Sequence, residues 1–190
     1  RQRQMCIRDS YCPGTFIPPG SMTPRGMVMK RPKIGDLIAI KTSQGTGYAI
    51  FTHQHTAPPK FGSLVRVFVG LHEHKPAYLG YNVPDVLFST FFPLGTAIDK
   101  GLVEIVGNME VPEPLKAFPT FRNGTPNPKT KKVENWWLWD GYKEWRVGQL
   151  DREQSLFPLL SVWNFTLLVE RVEKQWRAEC DPVWSAIPAG

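Results

Sequence analysis

The histidines are the side chains whose spacing most resembles a metal site. All four histidines of the chain lie in two His-x-His pairs, His53 with His55 and His72 with His74. On a β-strand this spacing puts both imidazoles on one face, where two nitrogen ligands could meet a metal ion. One hypothesis is therefore a metal-dependent enzyme built on a single pair.

The predicted strands place the two pairs far apart. The first pair ends the second strand beside a turn, and the second pair ends the third strand at the far end of the hairpin. At about 3.3 Å per residue the two pairs are roughly 25 to 30 Å apart. Each pair needs a further ligand, and Glu73, the nearest carboxylate in sequence, points to the opposite face. We therefore expect solvent-exposed histidines at strand ends, with no bound metal and no cofactor.

Other catalytic patterns are missing from the sequence. No serine or cysteine lies in a Gly-x-Ser-x-Gly elbow, and Gly45 and Gly47 link two predicted strands instead of opening a helix as a phosphate loop does. The carboxylates are dispersed, as Asp36, Asp85, Asp99, Glu104 and Asp140. Paired acid and base roles cannot be assigned to them. The sequence therefore predicts no catalytic residues and a protein that is not an enzyme.

Aromatic residues cluster in the last third of the chain. The candidates for binding a partner are Trp136, Trp137, Trp139, Tyr142 and Trp145. Because successive side chains of a strand point to opposite faces, Trp136 and Trp137 cannot both face the core. Trp and Tyr are enriched among the residues that anchor protein interfaces. We therefore expect most of these rings in the core and at least one on a recognition surface.

The elements that position these residues are mainly antiparallel strands. Runs rich in β-branched and aromatic residues between Gly and Pro turns predict strands at 34–40, 48–52, 63–71, 87–92 and 102–106. A hairpin is predicted over 135–147 around Asp140-Gly141, a dipeptide that type I′ turns prefer. The segment 110–132, rich in Pro, Asn, Gly and Lys, is predicted to cross the surface, with a flexible tip at 123–131.

A C-terminal amphipathic helix follows the hairpin. It is predicted to begin with Ser161 as its cap and to end at Lys174 or Trp176. Its apolar face, with steps of three and four residues, consists of Val162, Phe165, Leu168, Val169, Val172 and Trp176. The predicted fold is α+β: a β-rich antiparallel sheet or partly open small barrel, with this helix packed on it.

The chain is expected to hold a single domain at 30–178, with a leader at 1–29 and a C-terminal tail at 179–190. The leader lacks apolar periodicity, and residues 5–10 are similar to a translated sequencing-adapter sequence. We therefore expect the leader to be non-native or disordered and exclude it from fold reasoning. Its four arginines and one aspartate carry half of the net charge of +6.

The composition limits the class of protein and its location. No apolar run reaches the roughly 20 residues that span a bilayer, and no signal-peptide core is present. Cys180 is the one cysteine beyond the leader, so no disulfide framework is expected. The sequence therefore predicts a cytoplasmic protein that does not bind membranes.

The order of motifs along the chain gives a further indication of function. The motifs are Ile34-Gly-Asp-Leu-Ile-Ala-Ile40, Gly47-Tyr-Ala-Ile50, Gly62-Ser-Leu-Val-Arg-Val-Phe68, Leu102-Val-Glu-Ile-Val-Gly107 with Val111-Pro112, and the closing hairpin and helix. From Ile34 to Trp176 this order resembles the immunity protein 26 family of bacterial polymorphic-toxin systems. The resemblance implies an α+β protein that neutralises a cognate toxin by binding it, without catalytic residues or a cofactor. The class of toxin stays open, because the chain lacks the acidic balance that mimicry against a basic nuclease requires.

A small SH3-like barrel that binds nucleic acid is the alternative. A Gly-Asp opening followed by three strands also suits such barrels, and Lys41, Arg66 and the cluster at 129–132 could contact phosphates. The cluster lies in a predicted loop, however, where a solvated surface is the more common outcome. Nucleic-acid binding that weakens with salt would favour this alternative.

Overall fold

The computed structural model describes residues 31–76 and 85–185. The predictions for the leader at 1–29 and for the last residues, 186–190, lie outside the described residues. Within the described ranges, no helix combines the length and apolar character needed to cross a membrane.

An antiparallel sheet of five strands forms the larger part of the fold. Its strands are β1 (Asp36–Thr42), β2 (Gly45–His55), β3 (Gly62–Phe68), β4 (Val86–Phe92) and β5 (Glu104–Asn108). They are arranged in the order β4-β3-β2-β1-β5, and every neighbouring pair is antiparallel. The predicted strands are confirmed, with β1 and β5 each shifted two residues toward the C-terminus and β3 ending at Phe68 instead of residue 71.

Both faces of this sheet are covered, which explains why its strands read as nearly continuous apolar runs. One face carries Ile38, Ile40 and Phe51 and packs against helices α1 (Leu94–Asp99) and α3 (Phe165–Glu173). The opposite face carries Leu37, Ala39, Tyr48 and Ile50 and packs against Val111 and Leu115. Leu115 belongs to the short helix α2 (Glu113–Lys116).

A second, three-stranded antiparallel sheet lies beside the first. It consists of β6 (Phe121–Pro126), β7 (Val133–Trp139) and β8 (Glu144–Gly148), in that order. Two short 3-10 helices, Gln154–Leu156 and Ala178–Cys180, flank α3 in sequence.

The prediction of a surface crossing over 110–132 was wrong for its second half. Residues 121–126 form β6, which pairs with β7 from Phe121 opposite Trp139 to Pro126 opposite Val133. Pro, Asn and Gly are tolerated there because β6 is an edge strand. The chain then turns, with the backbone N–H of Asn127 donating to the carbonyl of Lys132 at 2.8 Å.

The predicted start of the helix was also wrong. Asn164, not Ser161, is the cap, and its side-chain oxygen accepts from the Leu167 N–H at 2.8 Å. Residues 161–163 are extended instead, because the backbone of Phe91 bonds to Ser161 and Trp163 on either side of Val162. Val162 is therefore 53% exposed rather than part of the apolar face.

The fold is α+β, as predicted from the sequence. The sheets are mostly antiparallel and stay open, so of the two predicted forms the open sheet is found and a closed barrel is not. The C-terminal helix packs on the larger sheet through Leu168 and Val172.

Candidate recognition surface

The β7–β8 hairpin is held by a turn at 140–143. The Asp140 carboxylate accepts from the backbone N–H groups of Tyr142 and Lys143 at 3.0 and 2.8 Å. Both hydrogen bonds lower the pKa of Asp140, and the one from Lys143 has the larger effect. Gly141 has a positive φ of 102°. The hairpin is confirmed, but the turn lies one residue later than predicted, because Asp140 caps it from the first position and only Gly141 needs a positive φ.

The five aromatic residues of the hairpin divide by exposure. Trp136 and Trp139 are buried, at 3% and 6% exposed, and Trp145 is half-buried. Trp137 is 40% exposed and Tyr142 is 93% exposed. The hairpin therefore presents one indole and one phenol to solvent. We call Trp137, Tyr142 and the turn at 140–143 the hairpin surface.

The two buried tryptophans pack on opposite faces of β7. Trp136 packs with Leu150 and Leu159, whereas Trp139 packs with Phe91 and Phe121. Trp139 shares a face with Trp137, but His55 and Phe91 of the larger sheet pack against Trp139, whereas Trp137 is 40% exposed. Exposure along β7 therefore depends on contact with the larger sheet as well as on the alternation of side chains.

Polar side chains surround the Trp137 indole. In register, Trp137 lies between Asn123 on β6 and Arg146 on β8. The Asn123 amide donates to Glu144 at 3.2 Å, and the Arg146 guanidinium donates to Asn135 at 2.5 Å. Trp137, Asn123, Asn135 and Glu144 line a groove of about 400 Å³. An aromatic group inside a hydrogen-bonded polar rim is the usual composition of a protein interface.

A second depression lies at the turn. It has a volume of about 310 Å³ and is lined by Tyr142, Gly141, Phe118 and the first histidine pair. Ile34, on the same depression, is 55% exposed. Apolar groups therefore reach solvent at both ends of the hairpin surface.

The first histidine pair is not solvent-exposed, so that prediction was wrong. His55 is 9% exposed, its Nε2 lies 3.0 Å from the Gly141 carbonyl, and its ring lies 5.1 Å from that of Trp139. His53 is half-buried, and its Nε2 lies 2.9 Å from the Lys116 carbonyl. A carbonyl can only accept, so both rings carry their proton on Nε2.

A β-bulge explains the burial of this pair. The register between β2 and β3 shifts between Phe51 and His53, and beyond it His53 lies opposite Leu64. Beyond this extra residue, His55 packs against Trp139 of the second sheet and His53 packs against Phe118. Burial, the largest effect, lowers the pKa of His53; the Lys116 carbonyl opposes this and the Arg66 charge adds to it.

The second histidine pair lies at the opposite end of β2. His72 forms an isolated bridge with Thr46, the second residue of that strand, and its ring lies 5.9 Å from that of Tyr48. His74 is exposed. The structure therefore does not bring the two pairs together. In 31–76 and 85–185, no group of three or more His, Cys, Asp or Glu side chains is placed to hold a metal ion.

Sequence reasoning missed two arginines that lie inside the fold. Arg122, on β6, is completely buried. Arg171, on α3, lies between the rings of Trp163 and Trp176. Arg122 stands in a segment predicted as surface loop, where an arginine is expected to be solvated. The apolar neighbour Phe121 was the one signal in the sequence that this position could be buried.

Comparisons with protein-family models, with curated proteins and with solved structures give no match for this chain. The fold and the surface define an antiparallel α+β protein with an exposed aromatic hairpin. The resemblance to immunity proteins stays a prediction from the sequence motifs.

Proposed function

We propose that this protein is a non-catalytic binding protein of bacteria, an immunity protein that neutralises a cognate toxin. The observation that carries the binding role is the exposure of Trp137 and Tyr142 on a hairpin whose other face is buried. The assignment to the immunity proteins rests, in addition, on the order of sequence motifs from Ile34 to Trp176.

The hairpin surface is suited to binding because it is already ordered. Trp136 and Trp139 anchor β7 on both faces, so binding requires little further loss of backbone freedom. Exposed Trp and Tyr side chains offer large contact areas with few rotatable bonds. An ordered hairpin with one such side chain on its strand and one in its turn fits a protein partner better than a small substrate.

The charge around this surface suggests the character of the toxin. Exposed charges of both signs lie on the hairpin: Lys131, Lys132 and Lys143 are accompanied by Glu134 and Glu144. Opposite charges on two partners accelerate association and exclude wrong partners. We therefore expect the toxin to present a face of mixed charge rather than the strongly basic face of a nuclease.

The nucleic-acid alternative loses one of its proposed phosphate contacts. Arg66 is buried and donates to the carbonyls of Leu115 and Ala117 at 3.4 and 2.8 Å, so it cannot reach a phosphate. Lys41 stays exposed, with its Nζ 3.9 Å from a carboxylate oxygen of Glu104. The loop lysines at 129–132 are also exposed. Binding to nucleic acid that falls steeply with salt would restore this alternative.

Alanine variants of the exposed rings test the proposal. We expect Trp137→Ala and Tyr142→Ala each to weaken binding to the toxin encoded beside this gene by about 2 kcal/mol, or roughly 30-fold. Their urea midpoints should stay close to that of the original chain, because neither ring is buried. Leu156→Ala, which removes a side chain that is 67% exposed outside the hairpin, is the matched control for both measurements.

Variants of the buried rings complete the design. Trp136→Ala and Trp139→Ala should lower the free energy of unfolding by about 3 to 5 kcal/mol, through lost burial and a cavity. If toxin protection falls only in proportion to stability across all four variants, the hairpin is core alone and the proposed interface is wrong. About one zinc per chain in elemental analysis would instead favour the metal-enzyme hypothesis.

A further inference from the structure

A cavity of about 220 Å³ lies where β6, the extended segment 159–163 and α3 meet. Two arginines line it, Arg122 from β6 and Arg171 from α3. Most of the remaining wall is apolar and includes Leu160, Val162, Trp163, Leu167 and Trp184. The cavity thus combines two cationic groups with an apolar enclosure, a composition typical of sites for small organic ligands.

Arg122 is buried, and among the described residues no carboxylate forms an ion pair with it; Glu179 acts on its charge from a longer distance. The Arg122 Nε donates to the Phe157 carbonyl and its Nη1 to the Trp184 carbonyl, both at 2.9 Å, and its guanidinium lies 5.1 Å from the centre of the Trp136 ring. Its Nη2 is buried and has no hydrogen-bond partner. Burying a cation with an unpaired donor costs free energy that a bound anion would recover.

Arg171 supplies the second positive charge. Its guanidinium lies 4.2 Å from the ring centre of Trp163 and 3.7 Å from that of Trp176. In the part of the chain that the structure describes, no carboxylate lies within 4.0 Å of either Arg122 or Arg171. Stacking fixes the plane of the guanidinium and leaves its N–H groups for an in-plane acceptor. Burial, the largest effect, lowers the pKa of both arginines; the charge of Glu179 opposes this for Arg122, and the charges of Asp181 and Glu170 oppose it for Arg171.

We propose that this cavity binds an organic carboxylate, with its two oxygens at Arg122 and Arg171 and its apolar part against Trp163 and Leu167. A planar carboxylate matches the guanidinium donors. Inorganic phosphate would leave the apolar wall without contact, so we expect it to bind less well. The ligand is either a small organic acid or the C-terminal carboxylate of an apolar peptide. This site is independent of the hairpin surface and of the proposed toxin binding.

Titration with phenylacetate and with its uncharged amide, phenylacetamide, tests the site on the full chain. We expect saturable binding of phenylacetate with a dissociation constant of about 1 mM or lower, read out by calorimetry and tryptophan fluorescence. Phenylacetamide, of the same shape, should bind at least about tenfold more weakly. Inorganic phosphate should bind more weakly than phenylacetate.

Arg171 variants make the test specific, because Arg122 variants can fail to fold. Arg171→Gln should weaken phenylacetate binding at least about tenfold, and Arg171→Lys should lose less because it keeps the charge. Arg152→Gln removes an exposed arginine away from the cavity and should leave binding unchanged. A melting temperature within a few degrees of the original chain would show that Arg171→Gln is folded.

A peptide ending in phenylalanine, with a free or an amidated C-terminus, separates the two sources of ligand. Tighter binding of the free peptide than of phenylacetate supports a protein chain end, and the reverse supports a small acid. Three results would overturn the site: no saturable binding of either acid, equal binding of phenylacetate and its amide, or unchanged affinity in folded Arg171→Gln.

Discussion

At the scale of single residues, buried polar side chains in this protein bond to backbone carbonyls rather than to acids. Arg66 donates to Leu115 and Ala117, and Arg122 donates to Phe157 and Trp184. The first histidine pair does the same to Lys116 and Gly141. These carbonyls belong to loops and turns or to the last residues of the short helix α2. The side chains thus satisfy backbone groups that would otherwise be buried without hydrogen bonds.

His53 should make the stability of this protein depend on pH. Burial lowers its pKa in the folded chain, whereas the unfolded chain has the ordinary value of about 6.5. As the pH falls below that value the unfolded state binds a proton that the folded state does not, so the free energy of unfolding decreases. The loss is complete only below the pKa of the folded state.

Urea denaturation at about pH 7.5 and about pH 5.5 measures this effect. The chain with His53→Gln should lose less stability on acidification than the original chain. His74→Gln, which replaces an exposed histidine, should lose as much as the original. Identical losses in the original chain and in His53→Gln would assign the pH dependence to other groups.

At the scale of elements, the sequence predicted the strands of the larger sheet because burial on two faces makes them continuous apolar runs. Residues 121–126 lack such a run, and their pairing with 133–139 depends on contacts across the chain that local propensity does not contain. The bulge before His53 is equally invisible, since it inserts a residue without any special residue type. Both wrong predictions concern residues near the hairpin, where the first histidine pair is buried instead of exposed.

The start of α3 is an element that sequence alone placed at the wrong residue. Ser161 and Asn164 are both good caps, and the backbone bonds of Phe91 to 161–163 decide between them. We therefore expect Asn164→Ala to lower the free energy of unfolding by about 1 kcal/mol, because the Leu167 N–H loses its acceptor.

The matched control for this cap is Asn164→Asp, which keeps an acceptor at the same position and should retain most of the stability. Chemical denaturation of the three chains measures the difference. If Asn164→Asp is as unstable as Asn164→Ala, the side-chain acceptor is not what stabilises the start of α3.

At the scale of the whole molecule, the extended segment 158–163 joins the two sheets. It runs beside β6 through backbone bonds to Arg122 and beside β4 through backbone bonds to Phe91. Both strands are edges of their sheets, so this segment covers two edges that would otherwise present unpaired backbone groups. An aromatic cluster of Phe91, Phe121 and Trp139 fills the space between the sheets.

The leader at 1–29 is expected to add nothing to this architecture, because its sequence lacks an apolar pattern that could pack on the domain. A chain that starts at Lys30 should therefore keep the melting temperature of the full chain. Thermal denaturation followed by circular dichroism compares the two chains. A decrease of several degrees would show that the leader contacts the domain.

The C-terminal segment should contribute much more, because it completes the environment of Arg122. The Trp184 carbonyl accepts from Arg122, and the Trp184 ring packs on the cluster that contains Trp136 and Leu159. Asp181 accepts from the Trp176 indole at 2.8 Å. Ending the chain at Cys180 removes these contacts and leaves a second donor of a buried cation unpaired. We expect it to lower the free energy of unfolding by about 3 to 5 kcal/mol.

Two further chains separate the contributions in the same denaturation experiment. A chain ending at Ser185 keeps every described contact of the segment and should be as stable as the full chain. Trp184→Ala keeps the carbonyl that Arg122 needs and removes only the ring, so it should lose about half as much as the chain ending at Cys180. If the chain ending at Cys180 is as stable as the full chain, Arg122 does not depend on Trp184, and the burial of this cation must be stabilised by Phe157 and Trp136 alone.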